Sequence, residues 1–256
     1  MKELPQSPSA EKFDELPLDE RDLVVETARR MHALVYQYAV PLTIGRTSHE
    51  SPRLPVNSAT ASLLRRGPRL FAVTANHVIQ KVFDRRNSGE PVGVFLSDVS
   101  IPIPDRLHWH DSGADLALLS VTEGEAAQIG TWVYEGAGLD HVPPEGTHVL
   151  SVGFPVYLRT GSDSTDVEYG VASALLQVTS SSDRHFCCRF EREHWIATHG
   201  EIPPPGTEFG GLSGGPVFLV GRLHFPIVGI ITDFHDAFDS LEVLRVQSIF
   251  DLPALE

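Results

Sequence analysis

Short runs of β-branched and apolar residues, separated by turn-forming residues, recur along most of this 256-residue chain. Such runs predict β-strands, and the Gly- and Pro-bearing stretches between them predict turns. Many short strands without an internal repeat favour β-barrels over a solenoid. The expected strands are 38–44, 58–64, 70–75, 92–96, 115–121, 147–153, 168–178, 185–191, 216–220 and 226–232, with a hairpin turn at 65–69 and a connection between two halves at 123–145.

The amino-terminal region differs from the rest. Residues 1–18 are rich in Pro, Ser, Glu and Lys and predict a loose lead-in. Apolar residues then recur at steps of three and four, and the acidic residues Asp19 and Asp22 stand where a helix would begin. These features predict a helix over about 19–37. We interpret it as an extra helix packed on the barrel surface, and the alternative is a regulatory or partner-docking element.

Composition narrows the function classes. The formal net charge of −14 disfavours binding to a phosphate backbone, so no nucleic-acid partner is expected. No apolar stretch reaches the length of a signal peptide or a membrane span, so no membrane association is expected. Cys187 and Cys188 are the only cysteines and are adjacent, which rules out a disulfide framework. Together these features predict a soluble protein in the reducing cytoplasm.

Three short motifs carry chemistry. His77 lies in Thr-Ala-Asn-His-Val at the end of a predicted strand, Asp115 opens Asp-Leu-Ala-Leu-Leu, and Ser213 lies in Gly-Leu-Ser-Gly-Gly-Pro. The separations are 115 − 77 = 38 and 213 − 115 = 98 residues. The order His, Asp, Ser differs from the orders in α/β-hydrolases and subtilisins. Over roughly residues 38–250 the chain resembles the trypsin-like, chymotrypsin-fold serine peptidases, in their compact bacterial form.

The resemblance implies an all-β fold of two six-stranded antiparallel β-barrels, with the active site in the cleft between them. It divides the chain into a lead-in and helix (1–37), a first barrel holding His77 and Asp115 (38–125), and a linker and second barrel holding Ser213 (126–256).

The same resemblance assigns roles that agree with elementary chemistry. A serine hydroxyl needs a base to take its proton, and histidine titrates near neutral pH. Ser213 is then the nucleophile, His77 the general base and later acid, and Asp115 the carboxylate that orients the imidazole. Each residue also has a structural interpretation: a strand-end histidine, a loop aspartate, and a serine in a tight glycine turn. Asp111 competes with Asp115, but it does not directly precede the strand.

The glycines near Ser213 meet a second requirement of the expected reaction. A tetrahedral intermediate carries a negative oxygen that needs oriented donors. By resemblance these are the backbone N–H groups of Gly211 and Ser213, and glycine permits the backbone conformation required at 211. Leu212 departs from the trypsin pattern, where an aspartate pairs with a newly cut amino terminus. Activation by that cleavage is therefore not expected.

The substrate site is expected around the strand that follows the serine. By resemblance, the segment Gly229–Phe234 matches the strand that pairs with a substrate backbone. Thr232 then lies beneath the triad, and Thr232, Asp233 and Phe234 form the substrate-facing edge. By the same resemblance, Thr207, six residues before Ser213, falls at the floor position of the specificity pocket. Glu208 or Asp233 could give the pocket a carboxylate, which predicts a basic or small polar residue before the cut. The alternative is that both acids are solvated loop residues.

The predicted function is a serine endopeptidase that acts on a protein or peptide substrate, without metal or other cofactor. His108 and His110 are spaced i, i+2 without a ligand cluster, which is weak support for a metal site. One alternative is a catalytically silent binding module of the same fold. An esterase is a further alternative because of the Gly211-x-Ser213-x-Gly215 pattern, but the motif order and the 43 residues after the serine (256 − 213) oppose it. A regulatory partner at the 19–37 helix is also predicted.

Overall fold

A computed structural model gives the fold for residues 17–46, 55–136, 142–160, 167–191, 194–197, 207, 209–220, 225–235 and 239–252. Its α-helices are α1 (Leu18–Val35), α2 (Asn76–Asn87), α3 (Glu123–Ile129) and α4 (Val246–Phe250). Short 3-10 turns cover Tyr36–Tyr38 and Val156–Leu158. The strands are β1 (Ala39–Arg46), β2 (Pro55–Arg66), β3 (Arg69–Thr74), β4 (Val92–Leu96), β5 (Val99–Ile101), β6 (Leu107–Asp111), β7 (Leu116–Val121), β8 (Val133–Tyr134), β9 (His148–Gly153), β10 (Arg159–Thr160), β11 (Glu168–Tyr169), β12 (Ala172–Ser181), β13 (His185–Arg189), β14 (Trp195–Ala197), β15 (Pro216–Leu219), β16 (Ile227–His235) and β17 (Ser240–Arg245).

The first half of the chain forms one curled sheet. Its strand order is β5-β4-β1-β2-β3-β7-β6, and β8 pairs with β2. β2 and β3 form the predicted hairpin, with Arg66 opposite Arg69 and Gly67 at φ 56° in the turn. The concave face buries an apolar cluster drawn from six of these strands and from α2 and α3. Among the described residues no ladder joins β5 to β6, so this sheet stays open.

The second half closes on itself. The order β13-β17-β16-β15-β9-β12 is completed by pairing between β12 and β13, which gives a six-stranded barrel, and β14 extends β12 at its other end. Inward-facing side chains such as Val149, Leu176 and Val243 are fully buried and fill this barrel. Closure removes the free edges that an open sheet presents.

A third apolar cluster joins the two halves. It combines residues of the first sheet, such as Leu118, with residues of the second barrel, such as Ile230, and with helices α1 and α4. Val35 of α1 is fully buried in it, and His32 of α1 hydrogen-bonds Ser173 of β12 through Nδ1 at 2.8 Å. α1 is therefore part of the packed structure. None of the described helices has both the length and the hydropathy of a membrane span.

The prediction of a mostly β fold with an amino-terminal helix is confirmed, and the helix covers 18–35 where 19–37 was expected. The prediction of two closed barrels is confirmed only in its coarser form, because one barrel closes and the other sheet is a curled half-barrel. The region 123–145 was predicted to connect the two halves, and the structure shows that it begins with α3. Thr122 and Glu125 form a capping box at the start of that helix.

Candidate active site

Two neighbouring strands bring His77 and Asp115 together. β3 is buried and ends at Thr74, three residues before His77, and Asp115 directly precedes β7. β3 and β7 are antiparallel with Thr74 opposite Ala117, so the end of one lies beside the start of the other. His77 Nδ1 lies 2.7 Å from Asp115 Oδ2, and the His77 backbone N–H donates to Asp115 Oδ1 at 2.8 Å.

This double contact fixes the imidazole. A carboxylate only accepts hydrogen bonds, so Nδ1 is the donor and Nε2 of the neutral ring is left as the acceptor. Asp115 has φ 45°, a left-handed conformation that aspartate tolerates better than most residues. The side chains are 39% and 28% exposed, respectively, so the pair borders solvent. The ring is therefore oriented to take a proton at Nε2.

Asp111, the competing carboxylate, has a different role. Its Oδ1 accepts from the backbone N–H groups of Gly113 at 2.6 Å and Ala114 at 3.3 Å. The carboxylate thus stabilises the turn between β6 and β7. Asn76 also ties this turn to α2, because its side-chain amide donates to Ser112 Oγ at 3.2 Å. Asp111 shapes the loop that presents Asp115.

The loop that carries Ser213 is held by strands of both halves. Thr60 of β2 donates its backbone N–H to the Ser213 carbonyl at 3.0 Å, and Ser62 Oγ donates to the Gly214 carbonyl at 3.0 Å. On the other side, Gly214 N–H donates to the Ile231 carbonyl of β16 at 2.7 Å. Thr74 Oγ1 donates to the Thr60 carbonyl at 2.8 Å. The strand end that leads to His77 and the serine loop therefore share one bonded network.

The serine hydroxyl itself is not bonded to the imidazole. Among the described residues no hydrogen bond joins Ser213 Oγ to His77 Nε2. In unliganded enzymes this contact is often long and shortens only when substrate binds. The structure thus brings His77 and Asp115 into contact and places the Ser213 backbone on the adjoining strands, without the third side-chain contact.

Two backbone N–H groups near Ser213 have no acceptor among the described residues. The Gly210 carbonyl accepts from Val156 N–H at 2.7 Å, and in a planar trans peptide the Gly211 N–H then points the opposite way. The Leu212 carbonyl accepts from Gly215 N–H at 2.9 Å, which orients the Ser213 N–H by the same rule. Within the described residues neither N–H has an acceptor. Such a pair can donate to a negative oxygen.

Glycine is required at 211 and 214 for steric reasons. Gly211 has φ 101°, and a Cβ there would lie 2.5 Å from the Phe154 carbonyl oxygen. Gly214 has φ 92°, and a Cβ there would lie 1.9 Å from the Thr60 carbonyl oxygen. Both distances are far below van der Waals contact. The turn around Ser213 can therefore form only with glycine at these positions.

Thr60 connects the loop to the rest of the site. Its side chain is fully buried, and Oγ1 donates to the Gly211 carbonyl at 2.7 Å and accepts from Phe154 N–H at 2.9 Å. Sequence reasoning missed this residue. A weak signal existed in the polar residues Ser58, Thr60 and Ser62, which stand at alternate positions and therefore share one face of the predicted strand.

A cavity of about 380 Å³ lies between the halves. The first half contributes His77, Gly113, Ala114 and Asp115, and the second contributes His185, Thr232, Asp233 and Glu242. The His77–Asp115 pair therefore faces a cleft whose far wall carries two further carboxylates, of which only Asp233 was predicted. His235 lies between them, at 3.7 Å from Asp233 and 3.5 Å from Glu242.

The other residues predicted to bind substrate differ in their burial and contacts. Thr232 is buried and its hydroxyl donates to the Glu242 carbonyl at 3.2 Å. Phe234 packs its ring against Phe209 with centroids 5.0 Å apart. Thr207 is half-buried, and Glu208 lies outside the described residues.

The histidines weighed as metal ligands, His108 and His110, are both exposed on β6, and the His108 ring packs against Phe71. In the part of the chain that the structure describes, no group of three or more His, Cys, Asp or Glu side chains is placed to hold a metal ion.

Comparisons with known proteins do not identify a family for this chain. No protein-family model and no curated protein matches the chain. One similar solved structure comes from work on the aromatic interactions that drive the coupled folding and binding of the intrinsically disordered Sesbania mosaic virus VPg protein. The match covers 85% of this chain and 92% of that chain at 15% identity, with a TM-score of 0.48. The barrel-rich all-β architecture is compatible with a chymotrypsin-like fold.

Proposed function

We propose that the chain is a trypsin-like serine endopeptidase that hydrolyses peptide bonds of proteins or peptides. The observation that carries the proposal is the paired contact of His77 with Asp115, through both Nδ1 and the backbone N–H, at the edge of a cleft between two β halves. Because Asp115 orients the ring and offsets the charge it gains, His77 Nε2 is suited to serve as a general base.

In the proposed reaction Ser213 Oγ attacks the carbonyl carbon and its proton passes to His77 Nε2. The carbonyl oxygen becomes negative and accepts from the free N–H groups of Gly211 and Ser213. The C–N bond then breaks, and His77 gives the proton to the leaving amine. A water attacks the acyl-enzyme by the same route and releases the acid. Productive attack requires Ser213 Oγ to lie within about 3 Å of Nε2.

A fluorophosphonate probe tests the nucleophile directly, because it reacts with an activated serine whatever the substrate preference. We expect labelling of the wild type at Ser213, located by peptide mass spectrometry, and none in Ser213→Ala. His77→Ala should label slowly while keeping the wild-type circular dichroism spectrum. Cleavage of a proteome-derived peptide library by wild type, beside Ser213→Ala, then reports the substrate. A folded wild type that neither labels nor cleaves contradicts the proposal.

The second candidate is a catalytically silent binding module of the same fold. The observation that favours it is that Ser213 Oγ makes no hydrogen bond to His77 within the described residues. A silent module would retain peptides without cutting them. Equal capture of peptides by wild type and Ser213→Ala, with no change in peptide mass, would select this alternative over the endopeptidase.

Two further predictions belong to this proposal. One is a regulatory partner that binds α1, whose residues Val25 and Leu34 are each 37% exposed. Deletion of residues 1–37 is a poor test, because it removes the buried Val35. Leu34→Glu should keep the fold, because Leu34 is exposed, and should weaken partner binding. The other is a cytoplasmic location, which fractionation of the native host would test.

A further inference from the structure

Aromatic rings meet beside the serine loop. Phe209 comes four residues before Ser213, Phe234 lies on β16, and Phe190 follows β13. The ring centroids are 4.6 Å apart for Phe190 and Phe209, 5.0 Å for Phe209 and Phe234, and 5.6 Å for Phe190 and Phe234. We call these three residues the aromatic plug. Trp195 packs on its far side, 5.3 Å from Phe209.

The position of the plug follows from the hydrogen bonds of the serine loop. Gly214 N–H donates to the Ile231 carbonyl, and Ile231 N–H donates to the Gly215 carbonyl at 2.8 Å. β16 therefore lies directly against the loop. The segment that bears Phe209 and the β16 residues after Ile231 therefore both continue from this junction. We refer to the region between them as the space beside Ser213.

A substrate would direct one side chain into that space. The attacked carbonyl carbon must lie at Ser213 Oγ, with its oxygen at the Gly211 and Ser213 N–H groups. The resemblance to the trypsin-like peptidases implies that the side chain on the acyl side of that carbonyl lies between the segment that bears Phe209 and the strand that bears Phe234. The two rings meet across this space. Phe190, in contact with both, fills the region beneath them.

We propose that the aromatic plug closes the specificity pocket and limits cleavage to bonds after small residues such as Gly, Ala or Ser. This inference rests on the proposed function, since it concerns the substrate of the same site. Ring centroids about 5 Å apart are in packing contact, so a longer side chain can enter only if the rings move. Phe190 and Phe209 are 3% and 2% exposed, which leaves them little freedom to do so.

The carboxylates near the site do not enter the plug. Asp233 lines the cleft beside His77, and its Oδ1 accepts from the Phe234 N–H at 2.8 Å. Glu242 faces the same cleft. Among the described residues, the walls of the closed space are formed by these aromatic rings, and neither Asp233 nor Glu242 offers a counter-charge there to a basic residue before the cut. Of the two preferences predicted from sequence, the small residue is the one that the plug favours; Glu208, the other acid considered for the pocket, lies outside the described residues.

Peptidyl diphenyl phosphonates that differ only in the side chain next to phosphorus test the inference, and the small fluorophosphonate probe serves as reference. For wild type we expect the Ala phosphonate to inactivate at least about 100-fold faster than the Phe and Lys phosphonates. In Phe234→Ala the ratio of Phe to Ala rates should rise at least about tenfold. Phe225→Ala, which removes another partly buried ring away from the plug, should keep the wild-type ratio.

The outcomes separate the two proposals. Reaction of wild type with the Phe or Lys phosphonate as fast as with the Ala phosphonate, while the fluorophosphonate labels Ser213, overturns the plug but not the endopeptidase. No labelling by any probe, including the fluorophosphonate, overturns the endopeptidase and the plug with it. Should Phe234→Ala unfold, Phe234→Leu provides a smaller change. Its Phe-to-Ala ratio must also exceed that of wild type, and an unchanged ratio in the folded variant counts against the plug.

Discussion

Replacing Thr60 with valine removes one buried hydroxyl while preserving the shape of the side chain. Valine is β-branched like threonine and suits the central strand β2. The hydroxyl donates to the Gly211 carbonyl at 2.7 Å and accepts from Phe154 N–H at 2.9 Å, so both groups lose a partner. Gly211 and Phe154 are buried, and water cannot replace the lost hydroxyl without rearrangement.

The loss of stability can be worked out from the Gly211 carbonyl and the Phe154 N–H. Each buried polar group left without a partner costs about 1–3 kcal/mol, and the added methyl group regains at most about 1 kcal/mol. We expect Thr60→Val to lower the free energy of unfolding by about 2–4 kcal/mol. The Gly211 carbonyl also belongs to the turn that orients the Ser213 N–H. Loss of one such donor slows acyl transfer by about 10²–10³-fold, which sets the upper limit for the loss of fluorophosphonate labelling rate.

Urea unfolding and labelling kinetics check both expectations. Thr60→Ser keeps the hydroxyl and should restore most of the labelling rate. Thr43→Val removes another buried hydroxyl, which hydrogen-bonds the Tyr169 hydroxyl away from the serine loop, and should cost about 1 kcal/mol without slowing labelling. The reasoning fails if Thr60→Val unfolds within about 0.5 kcal/mol of wild type, or if it labels at the wild-type rate.

Three further predictions follow from the site and the packing of α1. Asp115→Asn should slow fluorophosphonate labelling by about 10⁴-fold. Asp111→Asn keeps an oxygen that can stabilise the turn and should label at the wild-type rate. Equal rates for the two variants would contradict the assignment of Asp115 as the carboxylate that orients His77. Gly214→Ala should lower stability in thermal unfolding by more than about 3 kcal/mol, because the new Cβ would lie 1.9 Å from a carbonyl oxygen. Gly130→Ala should cost only about 1 kcal/mol, because φ is also positive there but the space is open. Burial lowers the pKa of His32, so the imidazole binds a proton more readily in the unfolded chain than in the folded chain. Stability should therefore fall as the pH drops below about 6.5. His32→Gln should flatten this part of the urea midpoint profile between pH 8 and 5, and an unchanged slope would exclude His32 as the cause.

The contact between His77 and Asp115 could be anticipated because each residue has a local marker. His77 follows an apolar strand and Asp115 directly precedes another, so pairing of the two strands brings the side chains together. The same reasoning ranked Asp115 above Asp111, and the structure gives Asp111 a turn to stabilise. Helix α3 also had a local marker in the capping-box spacing of Thr122 and Glu125, but this helix was not predicted.

Features made by distant residues had no such marker. The aromatic plug joins residues that are far apart in the chain, with 19 residues from Phe190 to Phe209 (209 − 190) and 25 from Phe209 to Phe234 (234 − 209). The local sequence around each of them does not predict contact with the other two. Closure of the second barrel depends on pairing of β12 with β13, and the open first sheet contains strands of similar composition. Pattern reasoning assigns a strand its buried face but does not fix which strands meet around a ring.

The hydrogen bonds of the serine loop make the site dependent on both halves. Thr60 N–H and Ser62 Oγ, from the first sheet, bond the carbonyls of Ser213 and Gly214, while Ile231, from the second barrel, bonds Gly214 N–H. The nucleophile is therefore positioned across the junction, and any change that shifts one half relative to the other moves Ser213 relative to His77. A variant in the shared core, such as Leu118→Ala, should then slow labelling even though Leu118 contacts no reacting atom. A variant confined to the interior of the second barrel, such as Leu176→Ala, should lower stability with a smaller effect on labelling in the fraction that remains folded.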